Sequence, residues 1–373
     1  MTKKVEGRKA WKAATFAMLI VGTVFGLQNI SMLPFVHADA IITVNSTADD
    51  QDDDGECTLR EAITASNTDT ASGATLGECI AGDGNDTITF NITGAADYTL
   101  TDRNSATKDG YTIQPQTSLP AITDTVTIDG YSQPGSLTNT AVAPNPLNGT
   151  LLIQLDGSLA GAASEGLHLD ISASGSIIRG MIINRFTSRG IGSAGTATDV
   201  ILTGNYVGTD PTGLLDWGNE DIGIQLGARL RIGGLNPEDR NIVSGNDSSG
   251  ASPNTGDDDW IVQGNYIGVG ADGLTAIPNA IAGGSGSLSL DNSSGHIIGG
   301  PDATAINVIS GNNSMGIAPH NVQNITIQNN YIGVAYDGTT PLGNGSTGIN
   351  LSGASTNSTF SDNIVSNNIM GGN

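Results

Sequence analysis

The stretch Gly204-Asn205-Tyr206-Val207-Gly208-Thr209 returns as Gly264-Asn265-Tyr266-Ile267-Gly268-Val269, and again as Asn329-Asn330-Tyr331-Ile332-Gly333-Val334. Between these copies lies a second block. Asn241-Ile242-Val243-Ser244-Gly245-Asn246 returns as Asn307-Val308-Ile309-Ser310-Gly311-Asn312, with a degenerate copy, NIVSNN, at 363–368. Arg231-Ile232-Gly233-Gly234 likewise returns as Ile297-Ile298-Gly299-Gly300. Blocks that keep their order over so long a period mark a chain built from stacked units, each of which buries its apolar residues against the next. From Asn246 to Asn265, and from Asn312 to Asn330, the step is short enough for one turn of three short strands. Turns stacked in parallel rise by one strand spacing, ~4.8 Å. That arrangement places Asn205, Asn265 and Asn330 in one column, with Asn246 and Asn312 in the turns between, so that amides can hydrogen-bond up and down the stack.

The rest of the chain agrees. Short apolar runs rich in Ile, Val and Thr recur between Gly, Asn, Asp and Ser: DTITF (86–90), TVTIDG (125–130), LLIQLDG (151–157), SIIRGMII (176–183) and DVILTGN (199–205). They read as strands of four to six residues bounded by turn formers. The expected fold is all-β, a solenoid of short parallel strands. A sandwich would lack the long-period identity, and a propeller would show aromatic signatures in each repeat.

The chain has 373 residues, 14 Lys+Arg against 37 Asp+Glu, and a formal net charge of −23. Such an excess of acid excludes nucleic-acid backbone binding as the main task and argues against adhesion to anionic lipid. Residues 1–12 carry five basic side chains, Ala13–Leu27 is an apolar run, and Ala38-Asp39-Ala40 follows. This is the order of a secretory signal peptide, with cleavage expected after Ala40. Gln28, Asn29, Ser31 and Pro34 interrupt the apolar stretch before it is long enough to span a bilayer, so no integral membrane segment is expected after cleavage. Three segments are expected: 1–40 as signal, 41–165 as cap and first turns, and 166–373 as repeats. The final DNIVSNNIMGGN still reads as repeat, which suggests a solenoid continuing beyond it.

Cys57-Thr58-Leu59-Arg60-Glu61-Ala62-Ile63 resembles the signature of the CSLREA domain, with Thr in place of the first Ser. Glu78-Cys79, Gly82–Ile88, Tyr98-Thr99-Leu100, Leu119–Ile122 and Val126–Gly130 continue the likeness. From Ser176 onward the repeats resemble right-handed parallel β-helices of the pectin-lyase-like kind, which implies a right-handed parallel β-helix with a short N-terminal capping helix. The resemblance implies an N-terminal cap in which 57–67 form a helix with Leu59, Ala62 and Ile63 on one face, covering an otherwise open sheet edge. In an exported cap a Cys57–Cys79 disulfide is the leading reading, with two buried free thiols as the other. It also implies secretion or display at the cell surface.

Several residues are candidates for chemistry. Asp50-x-Asp52-x-Asp54-Gly55-x5-Glu61 matches the calcium-loop expression, in which carboxylates converge on Ca²⁺ around a sharp Gly turn. Glu61 could equally cap the helix or pair with Arg60, leaving a solvated acidic loop. Ca²⁺ is the only cofactor suggested. Asp257-Asp258-Asp259 could supply the paired carboxylates of glycoside hydrolysis, with Ser294-Gly295-His296 as a partial echo of a polygalacturonase His element. No Arg-x-Lys element accompanies them, so a charged turn is the plainer reading. Arg179, Arg185 and Arg189 form the only basic cluster and read as surface arginines over apolar turns. His168 and His320 are isolated. Tyr206, Tyr266 and Tyr331 share a repeat position, as an outward stripe able to stack on sugars or, more plainly, as packing. The expectation for function is a non-catalytic extracellular β-helix used for adhesion, glycan contact or structural display, with an extracellular glycan or surface protein as partner. A polysaccharide lyase or glycoside hydrolase is the alternative.

Overall fold

The computed structural model describes residues 39–193, 197–281 and 286–369. The expected signal peptide therefore lies outside the described residues, apart from its last two. Asp39 onward belongs to one compact unit.

The unit is all-β except for one α-helix and a few single 3-10 turns. Two ten-stranded sheets dominate, parallel except for one antiparallel pair. Sheet A runs from Ile41–Val44 and Asp86–Phe90, through Val126–Asp129 and Ile177–Arg179, to Thr326–Gln328 and Thr359–Ser361. Sheet B runs from Tyr98–Thr101 and Thr107–Ile113, through Ile153–Asp156 and Met181–Asn184, to Tyr331–Ile332 and Ile364–Val365. From Val126 onward each sheet A strand is followed by one in sheet B. A third face consists of Leu167–His168, Ile191–Gly192 and Ile224–Gln225, continued through parallel bridges at Ala251 to Leu288–Asp291 and Ile317–His320.

The registers explain why the repeats are apolar where they are. In sheet A one inward column reads Ile42, Ile88, Ile128, Ile178, Leu202, Ile232, Val262, Ile298, Ile327 and Phe360. In sheet B it reads Ile113, Leu155, Ile183, Val207, Val243, Ile267, Ile309, Ile332 and Val365. The third face adds Leu167, Ile191, Ile224, Ala251, Leu288 and Ile317. These columns meet in one core, and each fully buried Ile or Leu contributes about 1.5–3 kcal/mol.

Asn205, Asn265 and Asn330 share a column, as expected, but the column is denser than expected. It runs Asn205, Asn241, Asn265, Asn307, Asn330, Asn363. Asn246 and Asn312 stand in a second column on another corner: Asn219, Asn246, Asn279, Asn312, Asn344, Asn368. Each block of the NIVSGN type thus supplies one Asn to each column. In the Gly-Asn-Tyr tiers the second Asn arrives later, because a hairpin closed by the bridges Thr209–Asp216, Val269–Ala276 and Val334–Pro341 is inserted before it.

The three repeat tyrosines alternate with Ile242 and Val308 on the outer side of sheet B. They form no open stripe. Leu147, Leu151, Ala271, Tyr336 and Leu342 close over them as a second apolar cluster. Tyr266 donates to Pro144 O at 2.5 Å. The buried Arg240 guanidinium lies 4.9 Å from its ring and donates to Ala141 O and Asn145 O, pinning the long loop before Leu151 onto the sheet.

The one α-helix, α1, spans Leu59–Thr68. Thr58 and Glu61 form a reciprocal capping box, the helix stops at Asp69 in the left-handed conformation, and Leu59, Ala62 and Ile63 are buried. Cys57 and Cys79 are disulfide-bonded, 22 residues apart, a closure worth ~3 kcal/mol. α1 packs on the first strands of sheet A.

Asn265 tests the amide columns. Its Oδ1 accepts from the Asn241 backbone N–H and Nδ2, and its Nδ2 donates to Ile232 O and Asn307 Oδ1. Asn265→Ala strands several buried partners and is expected to cost about 3 kcal/mol or more, since each unsatisfied group costs ~1–3 kcal/mol. Asn91→Ala at an exposed position should stay within ~0.5 kcal/mol. Urea unfolding of both variants checks the difference.

Candidate functional site

A cleft opens on the third face. Because strand side chains alternate, the residues following the inward column point outward. His168, Gly192 and Gln225 lie in register there, followed by Ser289 and Ala318. The small side chains among them form a floor, and Arg189, Gln225, Asn254, Asp291, His320 and Ser352 line a cleft of about 560 Å³. Arg189 Nε, Gln225 Oε1 and Asp291 Oδ1 are shielded atoms that have no hydrogen-bond partner among the described residues. A cleft lined by such groups suits a ligand rich in hydroxyls.

At the near end, Glu165 bridges two groups. Its Oε2 lies 2.6 Å from His168 Nδ1 and its Oε1 accepts from Arg189 Nη1 at 2.8 Å. Gly192 makes room for this, because a Cβ there would sit 2.5 Å from Glu165 Oε2. The bond to Glu165 raises the His168 pKa above its ordinary value against the opposing effect of partial burial. Burial would raise Glu165, but its bonds to His168 and Arg189 outweigh it and hold the carboxyl below the usual range. At the far end His320 Nδ1 lies 3.0 Å from Ser352 Oγ.

The candidate catalytic residues sit elsewhere. Asp258 Oδ1 accepts from Ser294 N at 2.6 Å, so the Asp run and the Ser-Gly-His element are neighbours, but neither lines a cleft. His296 is fully buried. Its Nδ1 accepts from Trp260 N at 3.1 Å, which leaves Nε2 to carry the proton and donate to Ser293 Oγ at 2.8 Å. Burial lowers its pKa to about 4, so it stays neutral with both ring nitrogens engaged. Burial likewise raises the Asp257 carboxyl.

In the acidic loop, Glu61 is buried and its Oε2 accepts from Thr58 N at 2.9 Å, as the helix cap. Burial, with Glu78 and Asp50 nearby, raises its pKa. Arg60 pairs with Asp49 instead, at 2.8 Å. The loop is tied across the disulfide by residues the motif does not include: Asp53 accepts from Thr75 N, and Glu78 accepts from Gly55 N. Among the described residues no group of three or more His, Cys, Asp or Glu is arranged to hold a metal ion.

The three arginines do not share a face. Each reaches a different carboxylate: Arg179 to Asp129 at 2.7 Å, Arg185 to Asp156 at 2.9 Å and Arg189 to Glu165 at 2.8 Å. Sequence reasoning missed Gln225 and Asp291 altogether. The signal that could have found them is their place one residue or three after an inward aliphatic of the third face, legible only once that face is aligned. No family model matches the chain, and no curated protein matches it.

The Glu165–His168 pair predicts a pH dependence. The raised His168 contributes stability that is fully present below about pH 6.5 and lost as pH rises through its folded pKa; the lowered Glu165 contributes above about pH 4.5 and is lost as pH falls. His168→Gln should therefore lower melting most near pH 5.5, by the equivalent of at most ~1 kcal/mol, and have little effect near pH 9. Thermal melts of both proteins at the two pH values check it.

Proposed function

We propose that the chain is an exported, non-catalytic parallel β-helix of the CSLREA-capped, right-handed kind, secreted or held at the cell surface, whose third-face cleft binds an extracellular glycan. The strand alternation between sheets A and B and the three inward columns support the closed solenoid. The disulfide fits an oxidising compartment. The observation that carries the binding reading is the polar lining of the cleft, with Gln225, Asn254, Asp291, His320, Asn350 and Ser352 around a floor of small side chains. Asp291 is the one carboxylate lining it. Glycoside hydrolysis by a pair of carboxylates needs a second acid beside Asp291, and the other titratable side chains of the described lining are Arg189 and His320; the His of the sequence motif, His296, is buried outside the cleft. Binding without turnover is what this lining supports.

Isothermal titration against a polysaccharide panel tests the reading, together with reducing-sugar and unsaturated-uronate assays. Saturable binding without product is expected. Gln225→Ala and Asp291→Ala should each weaken it about tenfold, the size of one lost hydrogen bond to a polar or charged group. Product release would overturn it.

The acidic loop supports a calcium reading only through two oxygens. Asp50 Oδ1 and Glu61 Oε1 are shielded and lack a protein partner among the described residues. If calcium sits there, Ca²⁺ raises the melting temperature relative to chelator and Glu61→Gln removes that difference. Equal melting in calcium and chelator removes calcium from the proposal.

A further inference from the structure

A second cleft, of about 360 Å³, opens where the first hairpin insertion meets the early strands of sheet B. Arg185 and Trp217 meet in it, the guanidinium 4.0 Å from the indole centroid. The repeat geometry shows that both residues are exceptions. Arg185 N donates to Trp217 O, Gly245 N to Ile277 O, and Gly311 N to Leu342 O, so these positions are structurally equivalent. The first position takes a left-handed backbone at Arg185 and in each tier of the NIVSGN type: φ is 59° at Arg185, 87° at Gly245, 71° at Gly311 and 59° at Asn367. Gly and Asn adopt this conformation readily, whereas a long side chain costs about 1 kcal/mol or more. The second position is otherwise an aliphatic, Ile277 or Leu342, packed on or near sheet B. Both departures from the repeat fall in adjacent tiers, touch each other and line one cleft.

The surroundings are built to hold them. Arg185 Nη2 lies 2.9 Å from Asp156 Oδ2, which also accepts from Gln114 Nε2 at 3.0 Å. Asp156 is almost fully buried and its other oxygen accepts from Ser158 N. Gln154 is fixed by Asn184, and the Tyr98 hydroxyl at the back lacks a partner among the described residues. The cleft's cation is neutralised by Asp156, and Asp97 and Asp210 add further negative charge to the lining.

We infer that the Arg185–Trp217 cleft is a second binding site, distinct in every residue from the third-face cleft, and that it takes a neutral oligosaccharide. An indole with a polar rim stacks on the C–H face of a pyranose, the amides of Gln114 and Gln154 suit its hydroxyls, and the carboxylates turn away polyuronates.

The test uses the variants Arg185→Gly and Trp217→Leu, each of which installs the residue that equivalent tiers carry. The probes are cellohexaose, laminarihexaose, maltohexaose and chitohexaose, with tetragalacturonate as the charged comparison. Trp260 is fully buried, so a change in tryptophan emission that is lost in Trp217→Leu reports this cleft. At least one neutral hexasaccharide is expected to alter the emission of the wild-type protein saturably, and tetragalacturonate is not. Calorimetric affinity should fall at least tenfold in both variants, whose circular dichroism stays near wild type, and should be unchanged in Asn91→Ala. The wild-type emission titration needs no variant to fold. Absence of any response to all four neutral probes overturns the inference, and so does affinity that survives both substitutions.

Discussion

A carboxamide stacked on the carboxamide of the next tier is the interaction on which the repeat region depends. From Asn241 in one column and Asn279 in the other, the column Asn accepts through Oδ1 from the backbone and side chain of the preceding tier, and donates through Nδ2 to a strand carbonyl there, as Asn241 does to Leu202 O and Asn307 to Val262 O. At a corner, where the chain leaves one sheet for another, backbone groups have no ladder partner, and a buried unpaired group is costly. Asn meets this need because it offers two donors and an acceptor at short reach. Asp of the same shape has no donors, and Gln is one methylene too long. Two such columns hold two corners in register, and register in turn aligns the aliphatic columns that form the core.

The demand is strict enough that exceptions carry meaning. The columns begin at Asn205 and Asn219. Before them, Met181 N and Phe186 N use those same side chains as acceptors without contributing an amide of their own. The early tiers are held differently, by the disulfide-closed cap, by Gln133 bonded to both backbone groups of Ile92, and by Tyr131 reaching Gly204 O. Arg185 and Trp217 stand at this change of regime, where the amide corner gives way and a cleft has room to form. The hairpin insertions play a complementary part. Asp272 and Asp337 each turn their own loop by accepting from backbone N–H groups two and three residues on, and bonds to Thr340 and Thr339 hold Asp337 down to about 2.

Charge is distributed by the same logic. Most of the paired arginines draw a carboxylate from a neighbouring tier, so they cross-link the stack at its surface and make no basic face. Arg240 differs from them, buried among carbonyls beneath a long loop, where burial lowers its pKa. Its role is to hold the loop that covers the tyrosines.

The repeated blocks made the all-β, parallel stack and the Asn205–Asn265–Asn330 column legible from residues alone, whereas the helix near residues 57–67 and the Cys57–Cys79 pairing were read with the help of a family resemblance. These depend on local periodicity and on short-range chemistry that a linear string preserves. The second amide column was hidden because the hairpin insertions change the spacing between the two Asn of a tier, from five residues in NIVSGN to fourteen between Asn265 and Asn279. The fates of His296, Glu61 and the tyrosines were hidden for another reason. A motif lists residue types, but burial, ring-nitrogen partners and a covering loop decide whether those residues can meet a ligand. Both clefts are products of tertiary structure, since their lining residues come from segments far apart in the chain and become neighbours only when tiers stack at one strand spacing.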